Sequence, residues 1–147
     1  MESVFNLLVR GVGMNQGLRS DLLAVYHRYL NGFVTENMDV INKCIEYPLT
    51  HVGETSVKTF DTFPLSPSEM KKAKGWAPSD NFEIEVVAQY KTKAHLILRN
   101  CRRLRADGSV IENVSAFYVF KLTGQGWKMF AISDILFLNN AAIQSLR

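Results

Sequence analysis

Two cysteines, three histidines, four prolines and a net charge of only +3 are what this 147-residue chain has least of, and each scarcity excludes something. Cys44 and Cys101 are too few for a disulfide scaffold and too far apart to pair as metal ligands. They read as free thiols of a reducing compartment. His27, His51 and His95 share no metal-binding spacing, so no metal is expected, and nothing in the sequence calls for a cofactor. With 17 basic against 14 acidic residues, the balance does not imply a polyanionic partner. The one basic cluster, Arg99, Arg102, Arg103 and Arg105, is split between two faces by strand alternation and lacks stacking aromatics. It reads as a solvated strand end or as dimer salt bridges, not as a nucleic-acid site. No stretch approaches the roughly 18 apolar residues of a membrane span. The early run Phe5–Val9 follows Glu2 where a signal peptide would carry basic residues, and no small-residue cleavage site comes after it. A cytoplasmic protein that spans no membrane is expected.

What is present is an ordinary globular composition, 47% hydrophobic and 21% charged, in a length suited to one domain. Gly11, Gly13 and Gly17 punctuate the start, so residues 1–17 read as an arm and residues 18–147 as the domain. From Leu18 to Glu36, the residues Leu22, Val25, Tyr26, Tyr29, Leu30 and Phe33 recur at helical spacing, with Gly32 a weak spot. Asn37 caps a second helix that carries Asp39 in its first turn and Val40, Ile41, Cys44 and Ile45 on its buried face, ending at Pro48. Short strands are predicted at 49–52 and 57–63. A helix capped by Ser66 or Ser68 and stopped by Gly75 comes next, followed by a loop over 77–81.

From Phe82 onward alternation replaces the helical period. Strands are predicted from 82, over 94–105, over 110–122 and over 127–135, joined by Asp-Gly and Gly-Gln-Gly turns. Helices first and a hairpin-linked meander afterwards define an α+β fold: a curved antiparallel sheet wrapped around N-terminal helices. Strand 110–122 is apolar on both sides, with Val114, Ala116, Tyr118 and Phe120 on one and Phe117 and Val119 on the other. On the last strand Trp127, Met129 and Ala131 oppose Phe130 and Ile132. Helices cover one face, so a homodimer through the outer sheet face is expected to cover the other.

This layout resembles the nuclear-transport-factor-2-like superfamily, which includes ketosteroid isomerases, polyketide cyclases and limonene epoxide hydrolase. The resemblance covers about residues 18–135 and rests on Tyr29–Phe33 with Asn37–Ile41, on Leu104–Gly108, and on Phe120–Met129. It implies a cone-shaped α+β barrel whose mouth leads to a mostly apolar pocket. A tyrosine on the first helix donates a hydrogen bond in the isomerases, and Tyr29 matches it; Tyr118 stands where their second donor, an aspartic acid, would be. Their carboxylate base has no counterpart here, because the equivalent stretch reads Thr50-His51-Val52-Gly53. The Asp-Arg-Asp set of the epoxide hydrolases is absent as well. The cyclases use an aspartate–histidine arrangement late in the chain, but strand parity assigns Asp134 to the outer face with Ile132 and Phe130.

The candidate pocket residues are therefore Tyr29, His51, Asn100, Tyr118 and Trp76. Tyr29 and Tyr118 would be paired donors to one ligand oxygen, or buried tyrosines bonded to backbone. Asn100 shares parity with Leu96 and Leu98 and would be a polar group of the inner wall, or an edge residue with ordinary solvation. His51 is a base, a ligand contact or a surface residue. Trp76 caps the mouth or anchors its loop. No residue is assigned a catalytic role. Two functions stay open: a pocket for a small apolar or amphipathic ligand, with or without cofactor-independent isomerase, cyclase or lyase chemistry, and a non-catalytic dimerisation or partner-binding module with a plugged cavity.

Overall fold

The computed structural model describes residues 4–80 and 83–137, with side chains over 19–73, at 75 and over 83–137. Helix α1 (Val4–Val34) leads into α2 (Met38–Lys43). Strands β1 (Ile45–Val52) and β2 (Val57–Phe60), helix α3 (Pro67–Lys74), and strands β3 (Trp76–Asp80), β4 (Glu83–Gln89), β5 (Lys93–Arg105), β6 (Val110–Thr123) and β7 (Gly126–Asp134) follow. Helix α1 begins at Val4, upstream of Leu18; its glycines cost roughly 1 kcal/mol each against alanine without ending it. Glu36, at φ +59°, ends this helical stretch, and the Asn37 N–H reaches back to the Gly32 carbonyl at 2.8 Å. Asn37 then caps α2 by accepting from the Val40 N–H at 3.2 Å. Gly32 has a packing reason: a Cβ there would lie 3.0 Å from Val40 Cγ1 and 3.1 Å from Ile41 Cγ1, so its absence lets α2 sit against α1. Ser66 caps α3, and Gly75 ends it in the left-handed region at φ +65°.

All seven strands form one sheet in the order β2-β1-β7-β6-β5-β3, with β4 also paired to β5. Every pairing is antiparallel except β1 with β7, which run parallel, so the sheet is mixed. Pro48, which the sequence places at the end of α2, lies inside β1, because α2 stops at Lys43. Its missing N–H costs no ladder bond: β1 pairs with β2 only from Leu49, and with β7 at Ile45 and again from Thr50. A loop is expected over residues 77–81, yet residues 76–80 form β3 and pair with β5 through Trp76↔Arg105 and Ala77↔Leu104. Phe82, expected to open β4, lies outside the described residues.

The α1 face Leu22, Val25, Tyr26, Tyr29 and Phe33 packs into the hollow of the sheet on Leu96, Leu98, Ala116, Tyr118, Phe120, Trp127 and Met129, all buried. Burying each large side chain contributes roughly 1.5–3 kcal/mol. Among the described residues no helix is long and apolar enough to cross a membrane.

Two irregularities in the sheet decide what faces the hollow. Between Leu98 and Cys101, β5 carries one residue more than β6, since Leu98 pairs with Ala116 and Cys101 with Val114. Asn100 takes φ +50° at this bulge. Inward parity passes from Ala94, Leu96 and Leu98 to Cys101 and Arg103. Between Met129 and Ala131, β7 carries one more residue than β6, since Met129 pairs with Phe120 and Ala131 with Val119. Beyond it Ile132 and Asp134 stand beside Tyr118 and Ala116 on the inner side.

Candidate functional site

At the open end of the cone, α1, β1, β2 and the segment after it, and strands β5 to β7 surround a cavity with two lobes. The larger lobe, about 380 Å³, is walled by Tyr29, Phe33, Phe60, Phe63, Ala116, Tyr118 and Ile132, with His51 and Asp134 among its polar groups. The smaller, about 190 Å³, runs under the end of α1 along Leu30, Val34, Leu98 and Cys101. Tyr29, Phe33, Arg103, Val114 and Tyr118 wall both. Phe120, Trp127 and Met129 are buried and fill the closed end of the cone, as a plugged cavity would require, yet the open end stays hollow.

The inner wall is aromatic. Tyr29 meets Phe63 edge-on at 6.0 Å between ring centres and lies 6.3 Å from Tyr118. The Tyr26 hydroxyl donates to the Tyr118 hydroxyl at 3.1 Å. That bond uses a lone pair of Tyr118 and leaves its own O–H to donate elsewhere. The Tyr29 hydroxyl makes no hydrogen bond among the described residues. Burial, with a contribution from Tyr118, holds Tyr26 well above the ordinary phenol range, and burial does the same for Tyr29. Tyr118 is pushed up to about 12 by burial, against the opposing pull of the Tyr26 hydrogen bond and of Arg103. At neutral pH all three are therefore donors.

Arg103 brings a positive charge to this wall. Its Nη1 lies 3.0 Å from Glu112 Oε1, with the arginine side chain 17% exposed. Strand alternation alone reads this residue as part of a solvated strand end or of dimer salt bridges; the Asn100 bulge turns it inward, while Arg99, before the bulge, pairs with Glu85 at 2.9 Å. Asn100 itself is exposed, its N–H donating to Ser115 Oγ at 3.1 Å, so it is not part of the pocket wall. Its parity with Leu96 and Leu98 is broken by the extra residue it supplies.

His51 does face the cavity. In the parallel ladder it is paired with Ile132, and its Nε2 lies 3.2 Å from Asp134 Oδ1. The two side chains are 32% and 61% exposed, which puts the pair at the mouth. Asp134 belongs to this group and not to the outer face, because the irregularity before Ala131 reverses parity. Trp76 contributes its backbone to β3, and its side chain lies outside the described residues. The structure thus brings Tyr29, Tyr118 and His51 together, adds Tyr26, Arg103 and Asp134, and leaves Asn100 out. Among the described residues no cluster of His, Cys, Asp and Glu has the arrangement of a metal site.

No protein-family model and no curated protein matches this chain. Solved structures do. An NTF2-like protein with a cystatin-like fold from Novosphingobium aromaticivorans superposes with a TM-score of 0.62 at 13% identity, over 100% of this chain and 99% of its own. The chain has the nuclear-transport-factor-2-like fold. An NTF2-like protein of unknown function from Shewanella oneidensis gives 0.57 at 10% identity, over 79% of this chain and 97% of that one. A protein proposed to be a ketosteroid isomerase, from Shewanella frigidimarina, gives 0.56 at 12% identity, over 81% and 98%. The helix-in-cone architecture expected from the sequence holds, with β1∥β7 as the departure from a purely antiparallel sheet.

Proposed function

We propose that the cone binds a largely apolar small molecule bearing an oxygen, and that His51, held by Asp134, moves a proton on it. The observation carrying this reading is the His51–Asp134 pair opening into the same cavity that Tyr118 lines. Apolar walls with a few convergent polar groups are the common form of a ligand site, and 380 Å³ exceeds the roughly 300 Å³ at which such sites begin.

The chemistry that suits these groups is proton transfer without a cofactor, as in an isomerase, cyclase or lyase. With Nε2–H donating to the Asp134 carboxylate, His51 Nδ1 keeps a lone pair. It accepts a proton from a carbon next to a ligand carbonyl, the electron pair passes onto the carbonyl oxygen, and the Tyr118 and Tyr29 hydroxyls and the Arg103 cation meet that charge. Return of the proton to another carbon, or loss of a leaving group, completes the reaction.

The larger lobe weighs against a purely structural module. Dimerisation remains compatible with the pocket: Ile97, Phe117, Val119 and Ala131 form a half-buried apolar patch on the outer face, suited to a second copy.

The test is a thermal-shift panel of apolar ketones, enones and phenols on wild-type, Tyr118→Phe and His51→Ala proteins. Hits are expected to raise the melting temperature of the wild type and of His51→Ala, and to lose most of that shift in Tyr118→Phe. A panel that stabilises Tyr118→Phe as well as wild type speaks against the assigned oxygen site.

A further inference from the structure

Away from the tyrosine cavity, the start of β7 meets α1 and α2 around a second hollow of about 370 Å³. Three cations line it: Arg28 from α1, Lys43 at the end of α2 and Lys128 from β7, and no carboxylate does among the described residues. Arg28 and Lys43 are exposed and make no ion pair among the described residues. The Lys128 side chain is only 15% exposed; its ammonium donates to Gln125 Oε1 at 2.8 Å and lies 3.7 Å from Glu46 Oε2. The local charge is thus three cations against one nearby acid.

Trp127 also lines this hollow and is 3% exposed. Val25 and Val40 give the hollow an apolar side. Burial raises the Cys44 thiol, and the charges of Arg28 and Lys128 pull it back down.

We propose that this hollow is a binding site for a small phosphate monoester, its oxygens held by Arg28, Lys43 and Lys128 beside the Trp127 side chain. A monoester carries a charge of about −1.5 to −2 at pH 7, which matches three cations and one acid, and its oxygens are strong acceptors for charge-assisted bonds. The volume exceeds what one phosphate fills, and the valines and Trp127 leave room for a small organic group.

The test is an NMR titration of 15N-labelled whole chain with phenyl phosphate at constant ionic strength, reading the indole N–H of Trp127. The chain has two tryptophans, so a Trp76→Phe variant assigns the signal. A saturable shift of the Trp127 resonance is expected, with binding weakened about tenfold or more in each of Arg28→Gln and Lys43→Gln. Both substitutions replace exposed side chains, and unchanged spectra elsewhere will show that the fold is kept. Affinity should rise between pH 5 and 7.5 as the ester passes its second ionisation near about 6. No saturable shift at about 10 mM, far above useful affinity, would overturn the site. Equal binding of phenyl sulfate, a monoanion, would overturn the phosphate assignment.

Discussion

His51 and Asp134 face one another from two strands that run parallel, β1 and β7, with Nε2 3.2 Å from Oδ1. The contact spans most of the domain in sequence and exists only because the last strand closes back on the first. It gives the mouth of a largely apolar cavity an oriented imidazole.

The pair is exposed enough to be replaced without harm to the fold. His51→Ala and Asp134→Asn should each change stability by no more than about 1 kcal/mol, as for other solvent-accessible ion pairs. On any substrate identified for the pocket, His51→Ala should slow proton transfer by about 10²–10⁴-fold, the usual worth of a general base. Urea denaturation checks the first figure, and deuterium incorporation from D2O into the substrate checks the second.

Tyr26 and Tyr118 should behave as a coupled unit. Tyr118→Phe leaves the Tyr26 hydroxyl as a buried donor without an acceptor, at a cost of about 1–3 kcal/mol. Tyr26→Phe leaves a Tyr118 hydroxyl that still borders the cavity, and should cost about 0.5–1.5 kcal/mol. The double variant should be less destabilised than the sum of the two, as measured by a double-mutant cycle in denaturant.

Alkaline pH should weaken the fold through the same tyrosines. Tyr118, with its folded value near 12 against 10.0 for a free phenol, holds its proton more tightly folded than unfolded. Between those values the folded state binds more protons, so stability falls as pH rises. The contribution is complete below pH about 10 and is lost on passing about 12; for Tyr118 alone it is about 2–3 kcal/mol. Tyr26 and Tyr29 are shifted in the same direction. Denaturation midpoints at pH 8, 10 and 11 should fall in that order, and in a pH-jump phenolate absorbance from these three residues should appear only with unfolding.

Much of the fold is legible in local patterns, and the site is less so, for a physical reason. The Asn37 and Ser66 caps, the Gly75 stop and the Asp107-Gly108 turn depend on residues within one turn of each other, and all are present. Tyr29 and Tyr118 follow from helical and strand periods. A bulge, in contrast, is set by pairing with a distant strand, and one extra residue reverses every side chain beyond it. Asn100 and Asp134 are the two positions where this matters: strand parity alone points the first inward and the second outward, each the opposite of its place in the structure. Arg103 goes with them. The left-handed φ of Asn100 is the one trace such a signal leaves in the sequence, since asparagine tolerates that region better than most residues. The β3 segment Trp76–Asp80 was unreadable for the same reason: its turn-rich composition is local, its pairing with β5 is not.

The Asn100 bulge is itself open to test. Asn100→Gly should leave stability nearly unchanged, because glycine adopts the same backbone at no steric cost. Asn100→Ile forces a β-branched residue into φ +50° and should cost about 1–3 kcal/mol. Guanidinium denaturation of the two variants distinguishes them. Equal midpoints would argue against the bulge, and with it against the inward turn of Arg103.

The most direct test of the central claim is native mass spectrometry of freshly purified wild-type and Tyr118→Phe proteins, followed by denaturation and analysis of what is released. The account predicts one largely apolar, oxygen-bearing molecule per wild-type chain and its loss, or a marked drop in occupancy, in Tyr118→Phe. Bare chains from both proteins would contradict a pocket built to hold such a ligand.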